Sequence, residues 1–242
     1  MSSYKIIALM GKAKSGKDTF GEMLLHANPN GVRVAFADKL KEICGEMFGL
    51  THEDMNTEPG KARNTELRCL TCPLCKSVDC HEVKLEREIK AECRHCNAVG
   101  ELASFKGFWT PRMILQYIGT EGFRRVDSGV WVRYALDKAK SHLHGNEKGA
   151  TSKHKPQYVF ITDCRFRSEM AGVVAAGGQV WRIRRSETND VQTELAKHAS
   201  ETKMDSIPDG EFNRVIINDG SLEDLQLKAS TALSQFLHSQ DS

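Results

Sequence analysis

The sequence predicts an α/β fold in three layers, a parallel sheet covered by helices on both sides, with a small cysteine-bearing insert. Three observations predict it. Short apolar runs without strict alternation take turns with helical stripes along most of the chain, as strands buried on both faces and joined by crossover helices should. A G-x-x-x-x-G-K segment separates the first such run from the first stripe. Six of the eight cysteines fall between Cys69 and Cys96.

Lys5 to Met10 is a β-rich apolar run ending at glycine, and Phe20, Met23, Leu24 and Ala27 follow at helical spacing. After an Asn-Pro-Asn-Gly turn, Val32 to Phe36 reads as a second strand, and Leu40, Ile43, Cys44, Met47 and Phe48 form an apolar helical stripe. Tyr158 to Thr162, Val180 to Ile183 and Val215 to Ile217 read as further strands. Met113 to Ile118, Trp131 to Leu143 and Arg167 to Ala176 read as helices, the last stopped by Gly177-Gly178. A final helix opens at Ser221 with Asp224 three positions on, a capping signature. Two stretches break the rhythm, roughly 60 to 106 with the cysteines and a polar loop from His144 to Lys155.

With 242 residues, the chain is long for one ordinary domain and short for two. An apolar content of 40% with 27% charged residues indicates a soluble globular protein able to bury a core. Thirty-four Lys and Arg against thirty-two Asp and Glu leave +2, too little to draw the whole chain onto nucleic acid or an anionic membrane. Any anion binding must be local. The start carries no signal-peptide pattern and no run approaches a membrane helix, so the expected location is the cytoplasm, where clustered thiols more often bind metal than form disulfides.

Gly11-Lys12-Ala13-Lys14-Ser15-Gly16-Lys17 lies after a buried strand and before an amphipathic helix, the context that makes the motif specific for a phosphate loop. Its glycines let the backbone wrap a phosphate, N–H groups and the helix N-terminus point at it, and Lys17 adds a positive charge. The next position is Asp18, where such loops usually carry the Ser or Thr that holds magnesium; Thr19 follows. Either could contact the metal. The YVFIT run ends in Asp163, a carboxylate at a strand's C-terminal end that suits a site beside the loop and equally suits an N-cap for the next helix. Arginines cluster at Arg124-Arg125, at Arg165 and Arg167, and at Arg182, Arg184 and Arg185. Moving phosphate between two anions requires several such cations.

Cys72-Pro-Leu-Cys75 and Cys93-Arg-His-Cys96 are two C-x-x-C knuckles seventeen residues apart, within zinc-ribbon spacing. Val83, Leu85 and Ile89 largely follow a period of two, a hairpin that would bring the knuckles together. Cys69 with Cys72 also fits the window, and Cys80 and His81 are further potential ligands; Pro73 favours the Cys72/Cys75 pair. Four cysteines close a zinc shell, so the ion would be structural. From Lys61 to Ser104 there is no Phe, Trp or Tyr, so the insert lacks the stacking platforms of a nucleic-acid module.

Five ordered segments resemble the phage-type deoxynucleoside monophosphate kinases of the P-loop nucleoside-monophosphate kinase group: GKAKSGKDT, FADKLK at 36 to 41, LQYIGTEGFRR ending at 125 with Trp131-Val132 after it, ITDCRFRSE at 161 to 169, and His198-Ala-Ser200-Glu201 with Ile217-Asn218-Asp219-Gly220. The resemblance spans nearly the whole chain except the cysteine region and implies one P-loop kinase domain over 1 to 242, in which the cysteine spacing places a zinc-binding insert at 61 to 106. It implies transfer of the ATP γ-phosphoryl to a deoxynucleoside 5′-monophosphate, with magnesium, in the host cytoplasm if phage-encoded. By the same resemblance, Gly11 to Thr19 hold the ATP phosphates and metal, and Asn218 and Asp219 lie near the ATP base. Asp163 would organise magnesium or the acceptor phosphate, Asp38 and Lys41 lie near the acceptor, and Arg124 and Arg165 bind its phosphate. Arg185 would close over the transferred group as a lid arginine, and His198, Ser200 and Glu201 would belong to the lid or its hinge. The expected partners are the two nucleotides, with no nucleic acid polymer and no membrane; a homodimer stays open. The alternatives are a kinase of another small phosphorylated acceptor, of dephospho-coenzyme A or phosphomevalonate type, and a non-catalytic ATP- or nucleic-acid-binding protein that uses the ribbon.

Overall fold

A computed structural model describes residues 5–12, 14–75, 77–85, 88–144, 157–185, 204 and 206–238. In chain order they form β1 (Ile6–Met10), α1 (Lys17–Ala27), β2 (Gly31–Val34), α2 (Asp38–Phe48), α3 (His52–Asn56), α4 (Glu58–Ala62), β3 (Arg68–Leu70), β4 (Cys80–Leu85), β5 (Glu88–Cys93), β6 (Val99–Glu101), β7 (Lys106–Phe108), α5 (Pro111–Gln116), α6 (Val130–His144), β8 (Tyr158–Cys164), α7 (Arg167–Ala175), β9 (Gln179–Arg184), β10 (Arg214–Ile217) and α8 (Leu222–His238). The chain divides into two compact units, residues 1–38 with 127–242, and residues 39–126. Among the described residues no helix is long and apolar enough to cross a membrane.

The first unit is a five-stranded sheet in the order β10-β9-β1-β8-β2 with every neighbouring pair parallel. All five residues of β1 are buried, which explains an uninterrupted apolar run in place of alternation. One core cluster joins β1, β8 and β9 to α1 and α8, with Phe20, Phe160, Trp181 and Phe236 among its members. Trp181 and Phe236 meet edge to face at 6.0 Å, a favoured aromatic geometry. The C-terminal ends of the strands share one edge of this sheet, where open α/β folds place their ligands.

β2 ends at Val34, two residues before the strand predicted over Val32 to Phe36. The reason is local: the Ala35 N–H donates to Asp38 Oδ2 at 2.9 Å and the Asp38 N–H donates back to the Ala35 carbonyl at 3.2 Å, which turns the backbone into α2. α8 starts as predicted, with Ser221 N–H on Asp224 Oδ2 and Asp224 N–H on Ser221 Oγ.

The second unit has two small sheets, the antiparallel β4-β5-β6 and β3-β7. The predicted hairpin is β4-β5; β6 and the β3-β7 pair carry too few residues to show a period. Short capped helices fill the rest. Thr51 caps α3, Thr57 caps α4, and Thr110 caps α5 with Pro111 at its first turn. The helix predicted over Met113 to Ile118 therefore starts earlier, and it continues as a π-helical stretch over Tyr117–Arg124.

Candidate functional site

The phosphate loop leaves the C-terminal end of β1 and enters α1. Lys14 has φ 62° and Gly16 has φ 89°, left-handed conformations that coil the chain tightly and that suit glycine far better than other residues. Both flanking glycines are also required by space. A Cβ on Gly11 would lie 2.4 Å from the Ile183 carbonyl oxygen, and one on Gly16 would lie 2.3 Å from Asn218 Nδ2. Inside the loop the Ser15 hydroxyl is buried without a hydrogen-bond partner, an unmet polar group of the kind an anion or its hydration would satisfy. Lys17 is buried, and its Nζ donates to Asp18 Oδ1 and to the Thr162 carbonyl, both at 2.5 Å. The ammonium is thus held at the junction of the loop and β8. Thr162 contributes a backbone carbonyl, which no side-chain motif can reveal.

Asp163, next along β8, does not cap α7. Its Oδ1 accepts from the Phe36 N–H at 2.7 Å and its Oδ2 from the Ala37 N–H at 2.9 Å, so the carboxylate ties the end of β8 to the turn before α2. Glu169 takes the capping duty instead, accepting from the N–H groups of Arg165 and Phe166. Cys164 lies between them, its thiol pushed well up by burial and by the Glu169 and Asp163 carboxylates. Asp38 accepts from Arg33 Nη1 as well as from the Ala35 N–H.

The arginine clusters divide. Arg167 pairs with Glu211 at 2.6 Å, and Arg182 and Arg184 pair with Asp209 at 3.0 and 3.1 Å. Arg182 also donates to the Ile207 carbonyl at 2.7 Å. These three brace the segment before β10. Arg165 and Arg185 are exposed at the ends of β8 and β9. At the end of β10, Asn218 Nδ2 donates to the Ser15 carbonyl at 2.9 Å, and Asp219 pairs with Lys228 of α8 at 2.7 Å. Ala13, His198, Ser200 and Glu201 lie outside the described residues, as does the predicted polar loop beyond His144.

In the second unit, Lys41 of α2 donates to Asn56 Oδ1 of α3 at 2.7 Å, and Arg124 is half-buried at the end of the π-helical stretch. The Sγ atoms of Cys72, Cys75, Cys93 and Cys96 lie within 4.8 Å of one another. Cys72 and Cys96 are 3.6 Å apart, and Cys75 and Cys93 are 3.5 Å apart. A tetrahedral zinc with four sulfurs at about 2.3 Å puts them roughly 3.8 Å apart, so this donor set fits zinc. All eight cysteines are free thiols. Cys69 instead meets Thr71 Oγ1 at 3.3 Å. Cys80 faces Cys93 across the β4-β5 ladder and meets the Ser77 carbonyl at 3.4 Å; burial pushes its thiol up to about 12.

A family model described as deoxynucleotide monophosphate kinase matches residues 67–229, more than half of the chain. Among curated relatives, the deoxynucleotide monophosphate kinase of Enterobacteria phage T4 is 26% identical over 267 aligned positions, covering 95% of this chain and 98% of that protein. A protein of Acanthamoeba polyphaga mimivirus, provisionally named for the same activity, is 23% identical over 219 residues, covering 90% and 91%. Among solved structures, dephospho-CoA kinase from Campylobacter jejuni covers 99% of this chain and 100% of its own at 13% identity, with a TM-score of 0.47. The chain belongs to the deoxynucleotide monophosphate kinase family and is a nucleotide phosphotransferase.

Proposed function

We propose that the protein transfers the γ-phosphoryl group of ATP to a deoxynucleoside 5′-monophosphate, giving the diphosphate and ADP. The observation that carries this reading is the phosphate loop at the end of the central strand, with Lys17 anchored beside it on the Thr162 carbonyl. Gly11 to Thr19 hold the triphosphate through backbone N–H groups and the α1 N-terminus. Lys17 leaves its contacts with Asp18 and Thr162 to reach the β- and γ-phosphates. Phosphoryl transfer needs little covalent help from the protein, so positioning and charge neutralisation carry the rate. Arg165 and Arg185, exposed at the strand ends, supply cations to the transferred group, and Arg124 with Lys41 serves the acceptor. Asp38 acts through the turn it shares with Ala35, and Asp163 sets that turn against β8.

Magnesium bound with ATP would be held by Asp18 or Thr19 and by Asp163, oxygen donors that suit a hard cation, and it neutralises charge on the phosphates. The four-cysteine cluster holds a structural zinc ion that staples the β4-β5-β6 sheet. The family assignment disfavours the dephospho-coenzyme A and phosphomevalonate alternatives. A coupled ADP-release assay over a panel of deoxynucleoside monophosphates, with dephospho-coenzyme A and phosphomevalonate included, tests the reading. Turnover confined to nucleotide acceptors supports it; turnover of another acceptor with none on nucleotides removes it.

A further inference from the structure

We propose that Asn218 is a positioning residue for the phosphate loop, fixing the Ser15–Gly16 peptide so that its N–H is presented to the bound phosphates. This rests on the reading of the loop as the ATP phosphate site, and it differs from the resemblance, which puts Asn218 beside the ATP base. Three observations carry it. Asn218 Nδ2 donates to the Ser15 carbonyl at 2.9 Å, across 203 residues of sequence. The Asn218 backbone N–H donates to the Arg184 carbonyl at 2.7 Å, so the backbone that carries the side chain is anchored to the C-terminal end of β9. The third is the fit at Gly16, where a Cβ would collide with Nδ2 at 2.3 Å.

The consequence follows from peptide geometry. In a planar trans peptide the carbonyl and the N–H point in opposite directions. With the Ser15 carbonyl held by Asn218, the Gly16 N–H is turned away from β10. At φ 89° Gly16 has access to other peptide orientations at little steric cost, so an external tie is needed to select one. An anion cradle works when its donors are already aimed before the anion arrives. The second contact adds a link in the chain, because the residue after Arg184 is Arg185. Asn218 therefore joins the phosphate loop to the strand end that carries the proposed lid arginine.

The test separates bracing from base contact by using a probe without a base. Affinities of the full-length protein for inorganic tripolyphosphate and for ATP are measured by calorimetry for wild type, Asn218→Ala and Asn218→Leu, the second being nearly isosteric, neutral and without a donor. Bracing predicts that both Kd values rise by the same factor, roughly tenfold for one lost hydrogen bond. It also predicts that the KM for ATP rises while the KM for the deoxynucleoside monophosphate stays within twofold, a split that general destabilisation would not produce. Weakened ATP binding with unchanged tripolyphosphate binding in both variants overturns the proposal in favour of base contact, and unchanged affinities for both ligands overturn it outright. If wild type binds ATP poorly and tripolyphosphate not at all, the phosphate-site reading fails first, and this inference with it.

Discussion

Among the described residues, one cluster in the first unit gathers fourteen buried apolar residues around β1, β8 and β9, whereas the two clusters described in the second hold only four buried residues each. One of those two contains Cys72 and Cys93 themselves, packed with Ala91 and Phe105. A module with so little apolar burial does not offset its conformational entropy without a staple. In the first unit, then, the core holds the sheet, and the sheet edge is free to carry polar groups at strand ends. In the second, two of the four clustered cysteines are themselves part of the small apolar cluster behind the sheet. The same residue type illustrates the contrast: Cys164 is fully buried, far from any other cysteine in sequence, and kept neutral by burial, while Cys96 is exposed at a knuckle.

Lys17→Ala tests the chemical side of the comparison and carries the largest expected effect. Removing the positive charge at the phosphates should lower kcat by about a thousandfold or more. The fold should survive, because the core cluster does not include Lys17. Turnover near the wild-type rate in a steady-state assay would remove the phosphate loop from the mechanism. Cys93→Ser tests the other side. Bound zinc measured by plasma emission should drop from one per chain to near zero, and proteolysis should open the region between β3 and β7 while the first unit stays resistant. Cys80→Ser should keep its zinc, since Cys80 lies outside the cluster. A metal-free protein that resists protease equally in both units would erase the distinction between core-held and metal-held structure. A smaller effect is expected for Arg124→Ala, which should raise the KM for the acceptor roughly ten- to hundredfold, the value of one charge-assisted hydrogen bond to phosphate, with the KM for ATP unchanged.

What the sequence made legible follows from the range of each interaction. The glycine-lysine loop with its flanking strand and helix, and the two C-x-x-C knuckles, are encoded within a few residues; the strand and helix stand where the pattern put them, and the four thiols of the knuckles converge. Strand β8 was legible because burial on both faces leaves a continuous apolar run, and the shorter apolar runs of β9 and β10 also form strands although Arg182, Val215 and Ile217 are only half-buried. The polar ties at the sheet edge were not legible. Asp163 reaches Phe36 and Ala37, and Asn218 reaches Ser15, through contacts whose sequence separations are 127, 126 and 203 residues; no local period records them. Arg182 stood in one of the arginine clusters near strand ends, but its partner Asp209 lies in a turn that sequence reading did not pair with it. The π-helical stretch also escaped, since its apolar residues fit an ordinary helix equally well.

Asp54 offers the finest test, because it distinguishes the second unit's two means of support. It is buried, accepts from the Thr51 N–H at 2.8 Å, and pairs with Arg63 through both Nε and Nη2, the latter at 2.7 Å. The hydrogen bond from Arg63, and after it that from Thr51, hold its carboxyl well below the usual carboxylate range. A depressed folded-state pKa means that the unfolded chain binds the proton more readily. The pair's stabilisation is therefore complete above the ordinary Asp value of about 4 and declines as pH falls below it toward the depressed folded value. At neutral pH, Asp54→Asn should destabilise the unit by about 1–3 kcal/mol, because the amide offers Arg63 a donor where an acceptor is needed. Acid would also reprotonate the thiolates of the proposed zinc site and release the metal, so wild type and variant are compared at each pH. Thermal midpoints measured from pH 7 to pH 3 should converge at the acid end if Asp54 contributes as described. A gap of constant size down to pH 3 would mean that the variant's defect is steric, and the second unit's stability below pH 4 would then rest on its apolar clusters alone.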